Sequence, residues 1–568
     1  MRRSPALDIP HLVLPSRWRR CTPALAALAL ALLLPQCRIG VRSTVMSSLE
    51  RMEHQPRLTC GGPLSPRRLW HVAVGCGVFV LLFAATLIYG GPAFGASLLS
   101  SNNSNNDNVA EAVAPDAEEK VPPKPEPEFY DWHTRSQFRP VNQAVAGKSV
   151  QDLCDAFPKD LLRDVQPVLK SGHGVLEKRV KTQLESVSAC LDDHLLIFSD
   201  VDEEIGGYQV IDVLADLRTD FVDGNDQLQA YVLQKELADN GTLHTEAGSK
   251  VKGWETDKFK FLPQVSRAWR MRPEKRWYVF YEDDTYVVWD NIFRLLTNFD
   301  PDMPWYFGSP SPGARGFWMA NGGPGYVLSR EAVRRLAKDD FDDNGAFAGS
   351  ALTQRWEDQM MHDCCGDSVL GLALHEDAQT GLSGLFPMFQ PHPLHGVPLS
   401  DTYWCQPVIS MHKTSAEDMV SLRKWEESRR IMQRPLLFAD LVDYLNLTEV
   451  SVRENWINSD FGGYRAPGDI AHTSFEACGE ACRADSNCLQ WTHHLRDCTF
   501  VPSIRLGQSR EPGIEGWRSE EEKAMEWSED QRRYKAGWDL DGIKSWMSAP
   551  GRDCKTARWV RPSLKRIF

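Results

Sequence analysis

The sequence predicts an α/β fold: a Rossmann-like sheet with helices on both faces, behind an N-terminal transmembrane helix and ahead of a small disulfide-rich module. Three observations carry this. Apolar runs with strand character alternate with a helical run, in the order His194–Asp200, Lys258–Trp269, Trp277–Trp289. An uncharged apolar stretch covers 69–89. Four cysteines, Cys478, Cys482, Cys488 and Cys498, crowd into a short C-terminal stretch. The expected division is 1–68 cytosolic, 69–89 signal anchor, 90–150 stem and linker, 151–450 sheet domain, and 451–568 cysteine-rich module with its tail.

The 568 residues suffice for two or three domains with sizeable cores. A formal net charge of -13 argues against a nucleic-acid partner, whose backbone would repel the chain. Arg67 and Arg68 precede the run 69–89 and no matching basic cluster follows it, so the long C-terminal part is expected on the far side of the membrane. The shorter apolar stretch 24–34 could be the core of a targeting peptide or reflect a mis-chosen start. Ser100-Ser-Asn-Asn-Ser-Asn-Asn-Asp-Asn108 and Val121-Pro-Pro-Lys-Pro-Glu-Pro127 have the composition of an unfolded stem. Sequons at Asn102, Asn240 and Asn446 suit a lumenal location. Ten of the 14 cysteines lie beyond the span, an even number that reads as a disulfide framework, with zinc as the rival use.

In the sheet domain, His194-Leu-Leu-Ile-Phe-Ser-Asp200 is an apolar run ending in polar residues, as a buried parallel strand does at its carboxyl end. Ligands of open α/β sheets bind there, which makes Ser199 and Asp200 nucleotide-binding candidates, a loop cap being the alternative. Lys258, at the start of the helical run 258–269, is a further cofactor-binding candidate. Trp277-Tyr-Val-Phe-Tyr-Glu-Asp-Asp-Thr-Tyr-Val-Val-Trp289 sets Glu282, Asp283 and Asp284 between two strand-like runs. Unpaired carboxylates at a buried strand end are costly and call for a cation, unless the turn is simply solvated. Oxygen-rich sites favour Mg²⁺ or Mn²⁺, which bind diphosphates.

Trp305-Tyr-Phe-Gly-Ser309 is another strand candidate. After it, Gly322, Gly323 and Gly325 permit a tight turn and close approach to a ligand, and Ser329 is placed to cap the next helix at Ala332. Asp367 opens the apolar run Val369–Leu374, either as a helix cap or as a general base toward an acceptor hydroxyl. Pro407-Val-Ile-Ser-Met-His-Lys413 reads as a strand with His412 at its end, either an ordinary satisfied histidine or the nitrogen ligand of a metal.

Tyr281-Glu-Asp-Asp-Thr-Tyr286, Asn321-Gly-Gly-Pro-Gly-Tyr-Val-Leu-Ser329, Cys364-Cys-Gly-Asp-Ser-Val-Leu-Gly371 and Trp404-Cys-Gln-Pro-Val-Ile-Ser-Met-His412 together resemble glycosyltransferase family 31, the Fringe-like and core 1 β1,3-galactosyltransferase-like enzymes, most closely its fungal branch. The resemblance covers roughly 190–430 and implies a GT-A fold. It also implies a UDP-sugar donor, Mn²⁺, a glycan or glycoprotein acceptor, inversion at the anomeric carbon, and a type II Golgi membrane location. Residue by residue it implies Asp284 and His412 as metal ligands with Glu282 beside them, and Asp283 at the ribose or metal shell. Gly322 and Gly323 would lie against the donor, and Asp367 would deprotonate the acceptor. Glu282 departs from the family's more usual aspartate. The alternative is a catalytically inactive relative acting as a glycan- or protein-binding lumenal protein.

Phe475-Glu-Ala-Cys-Gly-Glu-Ala-Cys-Arg-Ala-Asp-Ser-Asn-Cys-Leu-Gln-Trp491 with Cys498 resembles a PAN/apple module. That resemblance implies a helix carrying Cys478 and Cys482, and the pairs Cys478–Cys498 and Cys482–Cys488; the sequence alone permits two other pairings. It leaves open a glycan or protein partner or a structural cap. Trp517, Trp527, Trp538, Trp546 and Trp559 are expected to pack on a domain, the alternative being a sugar-binding face.

Overall fold

The computed structural model describes residues 128–139, 148–429, 434–514 and 519–566. The predicted cytosolic segment, the span 69–89, most of the stem, Asn102 and Trp517 lie outside them. Among the described residues no helix is long and apolar enough to cross a membrane.

The frame is an eight-stranded mixed sheet. Its strands are β1 Val165–Lys170, β2 Leu196–Ser199, β3 Glu203–Ile205, β4 Tyr208–Asp212, β5 Trp277–Glu282, β7 Tyr306–Gly308, β8 Tyr326–Ser329 and β9 Ser383–Gly384. They are ordered β9-β7-β8-β5-β1-β2-β4-β3. The central strands β5, β1, β2 and β4 are parallel, and β8 runs antiparallel between β5 and β7.

Alternation along the strands sorts side chains into two cores, one on each face. Leu169, Ile197, Val279, Tyr281, Phe307 and Val327 enter one. Val168, Phe198, Tyr278, Phe280, Tyr306 and Leu328 enter the other. Helices α1 Phe261–Met271, α3 Arg330–Ala337, α4 Ala351–His362 and α5 Gly366–Glu376 cover the second face with Leu262, Val265, Val333, Leu336, Trp356 and Leu370. Helix α2 Trp289–Leu296 lies on the first with Trp289, Ile292 and Phe293.

The helical run 258–269 divides in the structure. Residues Gly253–Lys260 form a 3₁₀ segment, and α1 begins at Phe261. Pro263 falls in the first turn of α1, where a missing N–H costs nothing. Ser329 caps α3 as expected, its side chain accepting from the Ala332 N–H.

A second, three-stranded sheet sits beside the first. β6 Tyr286–Val287 is antiparallel to β11 Ser410–Met411, which is parallel to β10 Phe389–Gln390. Its register pairs Met411 with Tyr286, so His412 emerges opposite the residues that precede β6.

The C-terminal region is a five-stranded antiparallel sheet in the order Val452–Glu454, Lys535–Trp538, Gln490–His494, Asp497–Val501, Tyr464–Arg465. Helix α7 Phe475–Ala484 packs on it, with α6 being Ala416–Ser428 before it in the chain. Its bridges are Cys478–Cys498 and Cys482–Cys488. The remaining cysteines pair as Cys154–Cys190, Cys364–Cys365 and Cys405–Cys554, which leaves none of the ten for zinc.

One boundary differs from expectation. Residues 128–139, assigned to the stem on composition, are part of the fold. Phe129–Tyr130 pairs with Trp559–Val560, Trp132 packs against Phe299 and Trp559, and Phe138 is buried in the first core. The aromatic residues of Phe129-Tyr-Asp-Trp132 bury enough surface to overcome the entropy that keeps the proline-rich spacer unfolded. The tail also returns to the sheet domain. Trp538 and Trp559 are buried, and Trp546 meets Trp404 edge-on at 4.9 Å. Arg552 pairs with Asp401, and Cys554 bridges to Cys405. Packing on a domain is therefore what Trp538, Trp546 and Trp559 do.

Candidate active site

Strands β1, β2 and β5 are parallel, so their carboxyl ends open on one edge of the sheet. The β1–β5 register sets Lys170 directly across from Glu282. The buried Lys170 ammonium lies 3.1 Å from Glu282 Oε1 and 2.5 Å from Asp257 Oδ2. Burial alone would lower its proton affinity, but the two carboxylates outweigh this and raise it above the ordinary lysine value.

Beyond Glu282 the chain turns through Asp283 and Asp284. Gln183 fixes the turn from below, its Nε2 donating to the carbonyls of Asp283 (3.2 Å) and Thr285 (2.8 Å). Asp283 accepts from Ser171 Oγ at 2.6 Å and from Arg179 at 3.0 Å. Burial nevertheless holds its carboxyl above the usual range. Asp284 lies 3.3 Å from the same guanidinium through Oδ2. Burial works to raise this carboxyl too, yet His412, Arg179 and Lys170 bring it below the ordinary value.

His412 arrives from β11, its N–H donating to the Gln390 carbonyl, while Thr414 N–H donates to the Asp284 carbonyl. Its Nε2 stands 3.3 Å from Asp284 Oδ1 and 3.9 Å from Glu282 Oε2. One ligand atom from each of Glu282, Asp284 and His412 lies within 4.8 Å of the others. Asp284 Oδ1 is buried and accepts no hydrogen bond, an orphaned acceptor of the kind a bound cation satisfies. Two carboxylates and one imidazole, drawn together with a spare lone pair, fit a divalent ion of the Mg²⁺–Mn²⁺ kind. Asp283 and Asp284 open on a cleft of about 520 Å³ also lined by Lys178, Arg179 and Lys413.

The glycine turn after β7 joins this group to Asp367. Gly322 N–H donates to Asp367 Oδ2 at 2.8 Å, and the next carbonyl, of Gly323, accepts from Thr285 Oγ1 at 2.5 Å. A Cβ on Gly323 would sit 2.2–2.5 Å from three atoms of the His412 ring, so only glycine leaves the imidazole its place. Gly323→Ala is expected to displace His412, lowering stability by about 1–3 kcal/mol and weakening divalent-ion binding; thermal melting and a Mn²⁺ titration check both.

Asp367 is not the helix cap, a position held by Cys365; it lies in the first turn of α5. Its other oxygen accepts from Ser368 N–H. Burial, with Glu282 nearby, pushes its carboxyl above the ordinary aspartate value against the opposing pull of the Gly322 N–H.

The other candidates stand differently. Ser199 and Asp200 are fully buried, and Asp200 Oδ1 accepts from Ser199 Oγ and from the His173 N–H. They bear on the edge through the loop Ser171–His173 rather than through free oxygens. Lys258 donates to the carbonyls of Met361 and Asp363, tying the 3₁₀ segment to the end of α4. Its neighbour Lys260 instead faces Asp200 at 3.4 Å. Lys170, Ser171, Arg179 and Gln183 were missed in the sequence. The run Val165–Leu169 ending in Lys170-Ser-Gly is interrupted by Gln166 and Pro167 and lacks the continuous apolar signal of Leu195–Phe198, and nothing near Arg179 or Gln183 marks them.

Residues 229–381 match the Fringe-like family. That stretch contains the acidic turn, the glycine turn and Asp367, but not Lys170, Arg179 or His412. The chain is 31% identical over 169 residues to a Xenopus laevis protein named glycoprotein-N-acetylgalactosamine 3-beta-galactosyltransferase 1, covering 26% of this chain and 44% of the relative. It is 32% identical over 78 residues to the Drosophila melanogaster Fringe glycosyltransferase, 11% of this chain and 19% of that one. Identity to the Danio rerio beta-1,3-N-acetylglucosaminyltransferase lunatic fringe is 27% over 115 residues, 18% and 30% of the two chains. The chain thus spans less than half the length of these curated relatives.

Proposed function

We propose that this chain is an inverting glycosyltransferase. It moves a hexosyl or N-acetylhexosaminyl group from a UDP-sugar to a hydroxyl of a glycan or glycoprotein, in a β1,3 linkage, with Mn²⁺, as a type II protein of the Golgi membrane. The observation that carries the reading is the convergence of Glu282, Asp284 and His412 at the carboxyl end of a parallel strand, with a half-buried carboxylate, Asp367, across a glycine turn from them. The match of 229–381 to the Fringe-like family and the names of the relatives support the reaction class.

In this reading Asp284, His412 and Glu282 hold the ion, which when bound neutralises charge growing on the leaving diphosphate. Arg179 and Lys170 add positive charge on the same side, at positions fixed before the reaction by Asp283, Asp257 and Glu282. Asp283, held by Ser171, faces the donor, while Gly322 and Gly323, predicted to lie against the donor, instead make room for the Phe261 and His412 rings. Asp367 takes the proton of the attacking hydroxyl. A single displacement from the face opposite UDP inverts the anomeric carbon and needs no covalent enzyme intermediate. The C-terminal region, apple-like in its two bridges, acts as a covering piece; its disulfide and ring contacts to the sheet domain support that role over a detached binding module.

The test is turnover of UDP-Gal, UDP-GlcNAc, UDP-GalNAc and UDP-Glc by the purified protein, with Mn²⁺ and with chelator. One donor is expected to turn over in Mn²⁺ and to stop in chelator. UDP binding that depends on Mn²⁺ without hydrolysis or transfer of any donor would favour an inactive, ligand-binding relative.

A further inference from the structure

A second group of metal-ligating side chains lies at the β3–β4 end of the sheet, built from elements that hold neither Glu282, Asp284 nor His412. His173 follows β1, Glu203 opens the edge strand β3, and His244 lies in the loop before the short helix Glu246–Ser249. His173 Nδ1 is 3.0 and 3.1 Å from the two oxygens of Glu203, and His244 Nε2 is 4.0 Å from Oε2. The two rings meet edge-on at 5.4 Å. One ligand atom from each residue lies within 4.8 Å of the others.

The group is also built as a site. The His173 and Glu203 side chains are each 9% exposed, whereas His244 is 76% exposed and closes the group from the solvent side. The Leu243 backbone hydrogen-bonds the His173 ring, and the His173 backbone N–H donates to Asp200 Oδ1 at 2.8 Å, fixing the chain that carries the ring. A ligating imidazole is ordinarily oriented by an outer partner on its ring, the part the Leu243 backbone plays here.

We propose that His173, Glu203 and His244 form a second divalent-metal site, for an ion of the zinc class. Two imidazoles and one carboxylate are the donor set of three-ligand zinc sites and leave a fourth position for water or a ligand. Imidazole nitrogen favours zinc over manganese or magnesium, so the two sites sort ions by ligand type. An ion here ties together the loop after β1, the edge strand and the 244 loop. It thereby stiffens the loop whose Ser171 hydroxyl holds Asp283.

The competing account is a plain His173–Glu203 ion pair with no ion. The full-length, tag-free chain is stripped with chelator, supplied with excess Mn²⁺, and titrated with Zn²⁺ against a fluorescent chelator. The wild type is expected to take up one Zn²⁺. His244→Ala, an exposed change that leaves the core intact, and Glu203→Gln, which keeps the shape of the pair, are each expected to weaken that uptake by at least about 100-fold, the upper end of what losing a mere outer partner does. Asp284→Asn should leave it unchanged. Wild-type Zn²⁺ affinity in both His244→Ala and Glu203→Gln overturns the proposal, as does loss of the Zn²⁺ in Asp284→Asn, since the ion would then belong to the acidic turn. Because the readout is metal uptake, it stands apart from whether sugar transfer occurs.

Discussion

Asp284→Asn is expected to lower Mn²⁺-dependent transfer by at least about 10²–10³-fold, the scale on which a single preorganised electrostatic group acts in a closed site. Asparagine has nearly the same volume as aspartate, so packing around residue 284 is preserved while the charge is removed. That charge is what Arg179, His412 and Lys170 converge upon. The amide also puts either a neutral oxygen or an N–H where the orphaned Oδ1 stands, beside His412. Mn²⁺ affinity should fall together with the rate, and excess Mn²⁺ should recover only part of it. Unchanged turnover in steady-state assays with the preferred donor would remove Asp284 from the ion and with it the account of leaving-group stabilisation.

Asp367→Asn separates binding from chemistry. Losing a general base typically costs about 10²–10⁴-fold in rate, while UDP affinity should stay within about twofold because Asp367 touches the glycine turn rather than the acidic one. The wild-type rate should fall on the acid side as Asp367 is protonated. Burial raises this carboxyl, so the fall begins at a higher pH than an ordinary aspartate would give. The sign for stability follows from the same shift. The folded protein holds this proton more tightly than the unfolded chain, so the contribution is full below the unfolded aspartate value and is lost as pH rises through the raised one. Asp367→Asn removes that loss but offers one acceptor oxygen to the two N–H groups of Gly322 and Ser368, so its melting temperature should vary less with pH than the wild type's rather than simply rise. A variant that folds, binds UDP and still transfers at the normal rate would exclude Asp367 as the base.

The strands at the sheet centre were readable because they are buried on both faces and therefore continuously apolar, as in Leu196–Phe198 and Trp277–Tyr281. The acidic turn was readable for the converse reason: charge at the end of such a run must be compensated. What compensates it was harder to find. Lys170 ends a run broken by Pro167, and its role comes only from the β1–β5 register, a long-range property. Arg179 and Gln183 reach the turn from an irregular stretch of 3₁₀, π and α turns over 173–185, which has no periodicity to detect. Lys258 shows the limit of residue type as a signal. It is the right residue type near the site, but Lys170 and Lys260 face the carboxylates while Lys258 fastens two backbone carbonyls. The stem boundary failed because composition was averaged over 90–150, hiding the aromatic cluster at 129–132.

The tail's return to the sheet domain has a consequence for biosynthesis. Cys405 waits for Cys554, and Phe129–Tyr130 waits for Trp559–Val560, so the outer wall beside α2 stays unfinished until nearly all of the described chain has left the ribosome. A nascent protein halted near residue 450 would expose an unmatched thiol and the aromatic surface of Trp132 and Trp404. Removing the C-terminal region should thus give an aggregation-prone chain rather than a smaller, freely acting enzyme.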